Sequence, residues 1–127
     1  MPPLMSDTGD IVIIQQRIER ALLLRLVAEQ FRDMVKFVAD VERGVIAIGG
    51  ALHADGEQAL LDDGSTQLDL WGANYYPGRG RGDCIEYTSL INVRPSHGNA
   101  GMEVADEAVR ARIRALVFAL VGEGEAL

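Results

Sequence analysis

Residues 35 to 52 have the sequence VKFVADVERGVIAIGGAL, and this stretch decides the fold. Apolar residues occupy the odd positions of its first half and polar residues occupy several of the even ones, a pattern typical of a half-buried strand. Arg43-Gly44 then predicts a tight turn, and residues 45 to 52 predict a second strand returning beside the first. Gly49-Gly50 within it indicates a bulge or a close approach of another backbone segment.

Three further segments predict strands. They are the β-branched run of residues 11 to 14, the stretch from 67 to 76, and residues 84 to 93, which alternate most clearly. The face of this last strand opposite to its apolar side chains is predicted to carry Glu86, Thr88, Asn92 and Arg94.

Two segments change to a helical period. Apolar residues recur on one face from Ile18 to Phe31, and again from Asp106 to Val121. Asp106 is expected to cap the start of the second helix, and Gly122 lies where a residue just past a helix end belongs. Residues 54 to 59 fit either a helical turn or a strand.

These elements predict an α+β fold: a largely antiparallel sheet with two main helices, one N-terminal and one C-terminal, packed on one face. The length of 127 residues predicts a single domain. Residues 1 to 9 and 123 to 127 are expected to be frayed.

The composition excludes several classes of protein. A net charge of −7 argues against binding to nucleic acids or anionic membranes, which require a basic surface. The chain shows neither a signal peptide nor a transmembrane segment, and its one cysteine, Cys84, cannot form an internal disulfide. We therefore expect a cytoplasmic protein.

The strongest candidate site follows the last predicted strand. Asn92 and Arg94 would share one strand face, and Ser96 and Asn99 lie in the loop just beyond it. An arginine fork beside amide and hydroxyl donors suits a carboxylate or a phosphate, so these four residues predict an anion-accepting corner. Alternatively, Arg94 pairs with Glu86 or Asp40 and the loop residues only hold the loop.

A second candidate is His53 with Asp55. If this segment is a strand, the two side chains share a face and could form an acid–base pair. Together with His97 they contain the residue types of a two-histidine, one-carboxylate metal site, but no spacing demands it, and we predict neither a metal nor another cofactor. The roles of Cys84 and His97 stay open.

Two leucines predict self-association. Leu24 lies off the apolar stripe of its helix, and Leu90 lies on the polar face of its predicted strand. Large apolar side chains that are exposed together indicate an interface, so we expect a homodimer.

Three blocks of the sequence, residues 47 to 55, 63 to 77 and 89 to 99, carry a family resemblance. Taken together they resemble a family of short uncharacterised prokaryotic proteins, described as a domain of unknown function, over roughly residues 11 to 120. The resemblance implies one compact domain, and no activity, cofactor or site residue comes with it. It also implies a glutamine where His97 stands here, which argues against a metal-binding or catalytic role for His97.

The sequence thus leaves two hypotheses for function. The first is a small non-catalytic binding or interaction module with the anion-accepting corner as its site. The second is a small enzyme that acts on an anionic substrate, which Arg94 would hold while His53 and Asp55 transfer protons. The enzyme hypothesis requires these three residues to converge in one pocket.

Overall fold

The predicted hairpin forms the centre of an antiparallel sheet of five strands. Its two strands are flanked by one strand on one side and two on the other, in the order β1-β3-β2-β4-β5. The computed structural model describes residues 10–127 and gives these bounds: β1 (Ile11–Ile14), β2 (Val35–Asp40), β3 (Val45–Gly49), β4 (Leu70–Tyr75) and β5 (Ile85–Glu86).

The second strand of the hairpin is shorter than predicted because the chain turns at its two glycines. Gly49 and Gly50 have φ angles of +108° and +82°, which favour glycine. A Cβ atom on Gly49 would lie 2.2 Å from the backbone oxygen of Asp10. The pair therefore marks a close approach of another backbone segment, and Leu52 lies beyond the strand.

Three helices pack on the sheet: α1 (Arg20–Gln30), α2 (His53–Asp62) and α3 (Glu107–Leu120). The undecided segment at residues 54 to 59 is therefore helical. Asp106 caps α3 as predicted, since its Oδ1 accepts hydrogen bonds from the backbone N–H groups of Ala108 and Val109. The α+β class is confirmed, with one helix more than expected.

The sheet has a hydrophobic cluster on each face, because successive side chains of a strand point to opposite sides. The larger cluster joins residues of α1 and α3 to Phe37, Ile46 and Ile48 of the central hairpin. The smaller one joins Leu60 of α2 to Val38 and neighbouring strand residues. The prediction of helices on one face therefore missed α2, which covers the other face.

The predicted strand at residues 84 to 93 is wrong beyond its first part. Of residues 84 to 93, only β5 (Ile85–Glu86) pairs with β4, and the chain then forms a 3-10 turn at Leu90–Asn92. The hydroxyl oxygen of Ser89 accepts a hydrogen bond from the backbone N–H of Ile91. This N–H is therefore bonded to a side chain and not to the backbone of a neighbouring strand. Asn92 and Arg94 consequently do not share a strand face.

The C-terminal segment, expected to be frayed, is held by backbone hydrogen bonds. The carbonyl oxygen of Gly124 accepts from the N–H groups of Gly78 and Gly80, each at 3.0 Å. The N–H of Gly124 in turn donates to the hydroxyl oxygen of Tyr75 at 2.9 Å. Residues 1 to 9, the other predicted frayed end, lie outside the described residues.

None of the helices formed by residues 10–127 is long and apolar enough to cross a lipid bilayer.

Candidate functional site

A cavity of about 440 Å³ lies where α2 leaves one end of the sheet uncovered. Its size falls within the range of roughly 300–1,000 Å³ that small-molecule sites occupy. The cavity is lined by Lys36, Leu52, His53, Ala54, Asn74, Thr88, Ser89, Leu90, Ile91 and Met102. They come from β2, the start of α2, β4, the 3-10 turn itself and the segments on either side of that turn.

His53 contributes a neutral imidazole to this cavity. Its Nε2 lies 2.7 Å from the backbone oxygen of Ala73, and because a carbonyl oxygen only accepts, Nε2 carries the proton. The other ring nitrogen then has a free lone pair. Burial of the ring lowers the pKa of His53 to about 4, so the ring is uncharged at neutral pH.

Asn74 forms the buried floor of the cavity and is only 6% exposed. Its Nδ2 donates a hydrogen bond to Oε1 of Glu86 at 2.7 Å. Its Oδ1 is buried and has no hydrogen-bond partner among the residues that the structure describes. A buried amide oxygen without a partner costs about 1–3 kcal/mol, so the cavity presents an acceptor that a ligand can satisfy.

Lys36 and Glu86 stand on either side of Asn74. Lys36 is directly opposite Asn74 on the neighbouring strand, and Glu86 is opposite it on the other side. Partial burial lowers the pKa of Lys36, and the charge of Glu86 counteracts that effect. The hydroxyl of Tyr76 donates to the same oxygen of Glu86 as Asn74 does, which fixes the carboxylate in place.

The predicted acid–base pair of His53 and Asp55 does not form. The segment is a helix, in which residues two apart are rotated by about 200°, so the two side chains leave α2 in different directions. Neither Asp55 nor Arg94 lines the cavity that contains His53. The convergence that the enzyme hypothesis requires is absent.

The two asparagines of the predicted anion corner are structural. Asn92 is fully buried, and its amide pairs with both backbone groups of Gly72, at 2.9 Å each, and with the oxygen of Met102. Asn99 is also buried, and its amide bonds four backbone groups of its own loop. Those partners are Asn92, Gly101, Glu103 and Ala105.

Arg94 packs against the sheet. Its guanidinium lies 4.7 Å from the ring centroid of Trp71 and donates hydrogen bonds to the backbone oxygens of Leu68 and Leu70. It pairs with neither of the two acids considered as partners, since Glu86 binds Asn74 and Asp40 binds its own turn. Only Nε of Arg94 remains as a buried donor without a partner among the described residues.

The last member of the corner, Ser96, is exposed and bonds to Nδ1 of the neighbouring His97 at 3.1 Å. The four predicted anion ligands therefore do not turn their polar groups toward one point, and anion binding there stays a prediction. Within residues 10–127, no three histidine, cysteine, aspartate or glutamate side chains are grouped so that they could hold a metal ion. Cys84 is buried, and burial raises the pKa of its thiol.

Sequence reasoning missed Lys36 and Asn74 as site residues. The available signal was Asn74 itself, a polar amide in the interior of a strand between Ala73 and Tyr75. Such a residue is unfavourable in a strand unless its side chain has a partner.

The two leucines behind the predicted homodimer are both exposed but lie apart. Leu24 is on α1, which packs on one face of the sheet, and Leu90 borders the cavity on the other face. They do not form one patch, so the homodimer stays a prediction. Light scattering of the protein at tens of micromolar concentration tests it, because the method gives the molecular mass in solution.

Comparison of the sequence with known proteins shows the family to which the chain belongs. No match was found among the curated proteins or among the solved structures. Residues 12–120 match the family model described as "Protein of unknown function (DUF5674)". The resemblance to a domain of unknown function is thereby confirmed over most of the chain. The chain belongs to the DUF5674 family.

Proposed function

We propose that this protein is a non-catalytic binding module that takes up a small molecule in the cavity between α2, β4 and the 3-10 turn. This keeps the first of the two hypotheses from the sequence and moves the site from the Arg94 corner to the cavity around His53 and Asn74. The ligand has an apolar part and a polar end with at least one hydrogen-bond donor.

The observation that carries the proposal is the unpartnered Oδ1 of Asn74. Buried polar groups in native proteins are almost always hydrogen-bonded, and exceptions concentrate at functional sites. Asn92, whose amide bonds the backbone of β4, shows how fully this chain satisfies a buried amide where no ligand is needed. Asn74 differs because its buried oxygen has no partner among the described residues, although the residue itself lines an open cavity.

Two observations favour binding over catalysis. A general base works best when its pKa is near the working pH, and the pKa of His53, at about 4, is far below neutrality. Its Nε2 is also occupied by the Ala73 oxygen, and no carboxylate among residues 10–127 is hydrogen-bonded to the ring. His53 is thus suited to accept a hydrogen bond from a ligand.

The test is a titration of the ¹⁵N-labelled chain followed by NMR, with isovaleramide, isoamylamine, 4-methylpentanoate and L-leucine as probes. These four share a branched apolar part and differ in the polar end. We expect at least one to give saturable shifts at the amides of His53, Ser89 and Ile91. Saturation with no shifts outside the cavity supports the proposal, and a failure of all four probes contradicts it.

Three variants make the test specific. Asn74→Leu keeps the size of the side chain and removes the acceptor, so binding should weaken by roughly 2–10-fold or more. Leu90→Ser removes apolar surface at the cavity mouth and should also weaken binding. Leu24→Ser is the matched control, since Leu24 is an exposed leucine away from the cavity. Equal binding by all three variants would show that the probes bind elsewhere.

A further inference from the structure

Three polar side chains form a row in one register at this end of the sheet. Lys36 and Asn74 line the cavity, and Glu86 is an exposed residue beside it that accepts the hydrogen bond of Asn74. Lys36 of β2 is opposite Asn74 of β4, and Asn74 is opposite Glu86 of β5. Directly opposed residues on antiparallel strands have their Cβ atoms about 4.5–5.5 Å apart, so neighbours in the row can contact one ligand. The row presents a cation, an amide and an anion in that order.

The two charges do not neutralise each other. Asn74 stands between them, and none of the ion pairs formed within residues 10–127 includes Lys36. The ammonium of Lys36 lies 5.2 Å from the ring centroid of Phe31, a contact that leaves its hydrogen-bond donors for another group. The carboxylate of Glu86 has one oxygen bonded by Asn74 and Tyr76, which leaves its second oxygen for another donor. Within this part of the chain, the row therefore offers a hydrogen-bond donor at one end, the ammonium of Lys36, and an acceptor at the other, the second carboxylate oxygen of Glu86.

The rim of the cavity is apolar and unusually exposed. Leu90, Leu52 and Met102 are 75%, 56% and 43% exposed, and all three line the cavity. Three large apolar side chains that surround one opening offer a surface for an apolar group of similar size.

Resting on the binding function proposed above, we infer that the ligand is a zwitterion with an apolar side chain, of the chemical class of the apolar α-amino acids. Its carboxylate pairs with the ammonium of Lys36. Its ammonium group donates to Oδ1 of Asn74 and to the free oxygen of Glu86. Its side chain lies against Leu52, Leu90 and Met102.

Ligands with other polar ends fit this row less well. A neutral amide satisfies Asn74 but leaves both charges without a partner. A simple carboxylate pairs with Lys36 but meets Glu86 as a like charge, and a simple amine has the same problem at Lys36. Only a molecule that carries both charges on adjacent groups matches the order of the row.

The test compares the dissociation constants of four probes by NMR titration and calorimetry of the full chain. They are L-leucine, 4-methylpentanoate, which lacks the amino group, isoamylamine, which lacks the carboxylate, and neutral isovaleramide. We expect L-leucine to bind at least tenfold more tightly than each of the others, because each of the others loses at least one charge-assisted hydrogen bond.

Two variants test which charged group of the ligand each charged residue of the row binds. Lys36→Met should weaken L-leucine at least tenfold and leave isoamylamine unchanged or tighter. Glu86→Gln keeps the acceptor for Asn74 and Tyr76, and it should weaken L-leucine at least tenfold while 4-methylpentanoate stays unchanged or becomes tighter. The melting temperature and the amide spectrum of each variant show whether the fold is retained.

The outcomes separate the two proposals. If isovaleramide or a singly charged probe binds in the cavity as tightly as L-leucine, the binding function stands and the zwitterion is wrong. The same conclusion follows if L-leucine binds folded Lys36→Met and Glu86→Gln as it binds the original chain. If none of the four probes gives a saturable shift, both proposals fail.

Discussion

Two buried asparagines, Asn74 in β4 and Asn92 beside it, show what a single residue contributes here. The amide of Asn92 replaces a strand partner for Gly72, since it bonds both the N–H and the carbonyl oxygen of that residue. The amide of Asn74 uses its N–H group but leaves its oxygen without a partner among residues 10–127. The first stabilises the fold, and the second reduces stability at a place where a ligand can be bound.

Asn74→Leu should therefore leave the free energy of unfolding unchanged or raise it by about 1 kcal/mol. The substitution removes a buried unpartnered acceptor, which is worth about 1–3 kcal/mol, and loses one hydrogen bond to an exposed carboxylate. Urea denaturation of the free protein measures the change. Asn92→Leu is the matched comparison and should destabilise by several kcal/mol, because it leaves two backbone groups of Gly72 unpaired. A loss of more than about 2 kcal/mol in Asn74→Leu would mean that its oxygen is satisfied in solution.

Arg94→Lys should lower the free energy of unfolding by about 1–3 kcal/mol. Lysine keeps the charge but cannot reach two backbone oxygens and cover the Trp71 ring with one planar group. Thermal and urea denaturation check the expectation, and added phosphate or acetate should not shift the melting curve of the original chain. A stable Arg94→Lys variant with a phosphate-dependent melting curve would instead support the anion corner.

At the scale of elements, the sequence pattern predicted correctly those helices and strands whose stabilising hydrogen bonds join residues close together in the chain. The hairpin of β2 and β3 and the capped helix α3 follow from alternation, a turn and an N-cap that lie close together in the sequence. Residues 84 to 93 alternate just as clearly, yet only β5 forms. The reason is that Ser89 and Asn92 bond backbone groups with their side chains, and no period in the sequence reveals that competition.

Ile113→Ala tests whether α3 belongs to the core as its apolar stripe predicts. Ile113 is fully buried in the larger hydrophobic cluster, so truncation should cost roughly 2–5 kcal/mol. Leu24→Ala on α1 is the control, because Leu24 is about half exposed and should cost far less. The free energies come from urea denaturation. A cost below about 1 kcal/mol for Ile113→Ala would show that α3 detaches without loss of the fold.

At the scale of the whole molecule, the candidate site could not be predicted because it depends on strand register. Lys36, Asn74 and Glu86 are far apart in the sequence and meet only because β4 pairs with β2 on one side and β5 on the other. His53 joins them because α2 begins beside this end of the sheet. The sequence did single out His53, but it paired His53 with Asp55, two residues away. In the structure His53 bonds the backbone oxygen of Ala73, which is 20 residues away.

The stability of the whole domain should depend on pH through His53. The unfolded chain binds a proton near pH 6.5, whereas the folded ring stays neutral until about pH 4. The contribution of the neutral ring is therefore fully present above pH 6.5, and it is lost as the pH falls toward 4. The loss is on the order of 3 kcal/mol.

Urea denaturation between pH 7 and pH 4.5 measures this effect by difference. His53→Gln should flatten the pH dependence relative to the original chain, since glutamine has no proton to bind. His97→Gln, which changes the other, exposed histidine, is the matched control variant. Parallel curves for the original chain and His53→Gln would refute the assignment.

The position of Lys36 has a consequence for acylation chemistry. It is the one lysine in the chain, so it carries the single side-chain amine that active esters can acylate. Its lowered pKa leaves more of the amine in the reactive free-base form at a given pH, and an occupied cavity shields it. Acylation would replace the cation at the end of the polar row by a neutral amide. A chain immobilised through this amine would be tethered by a residue that lines its own cavity.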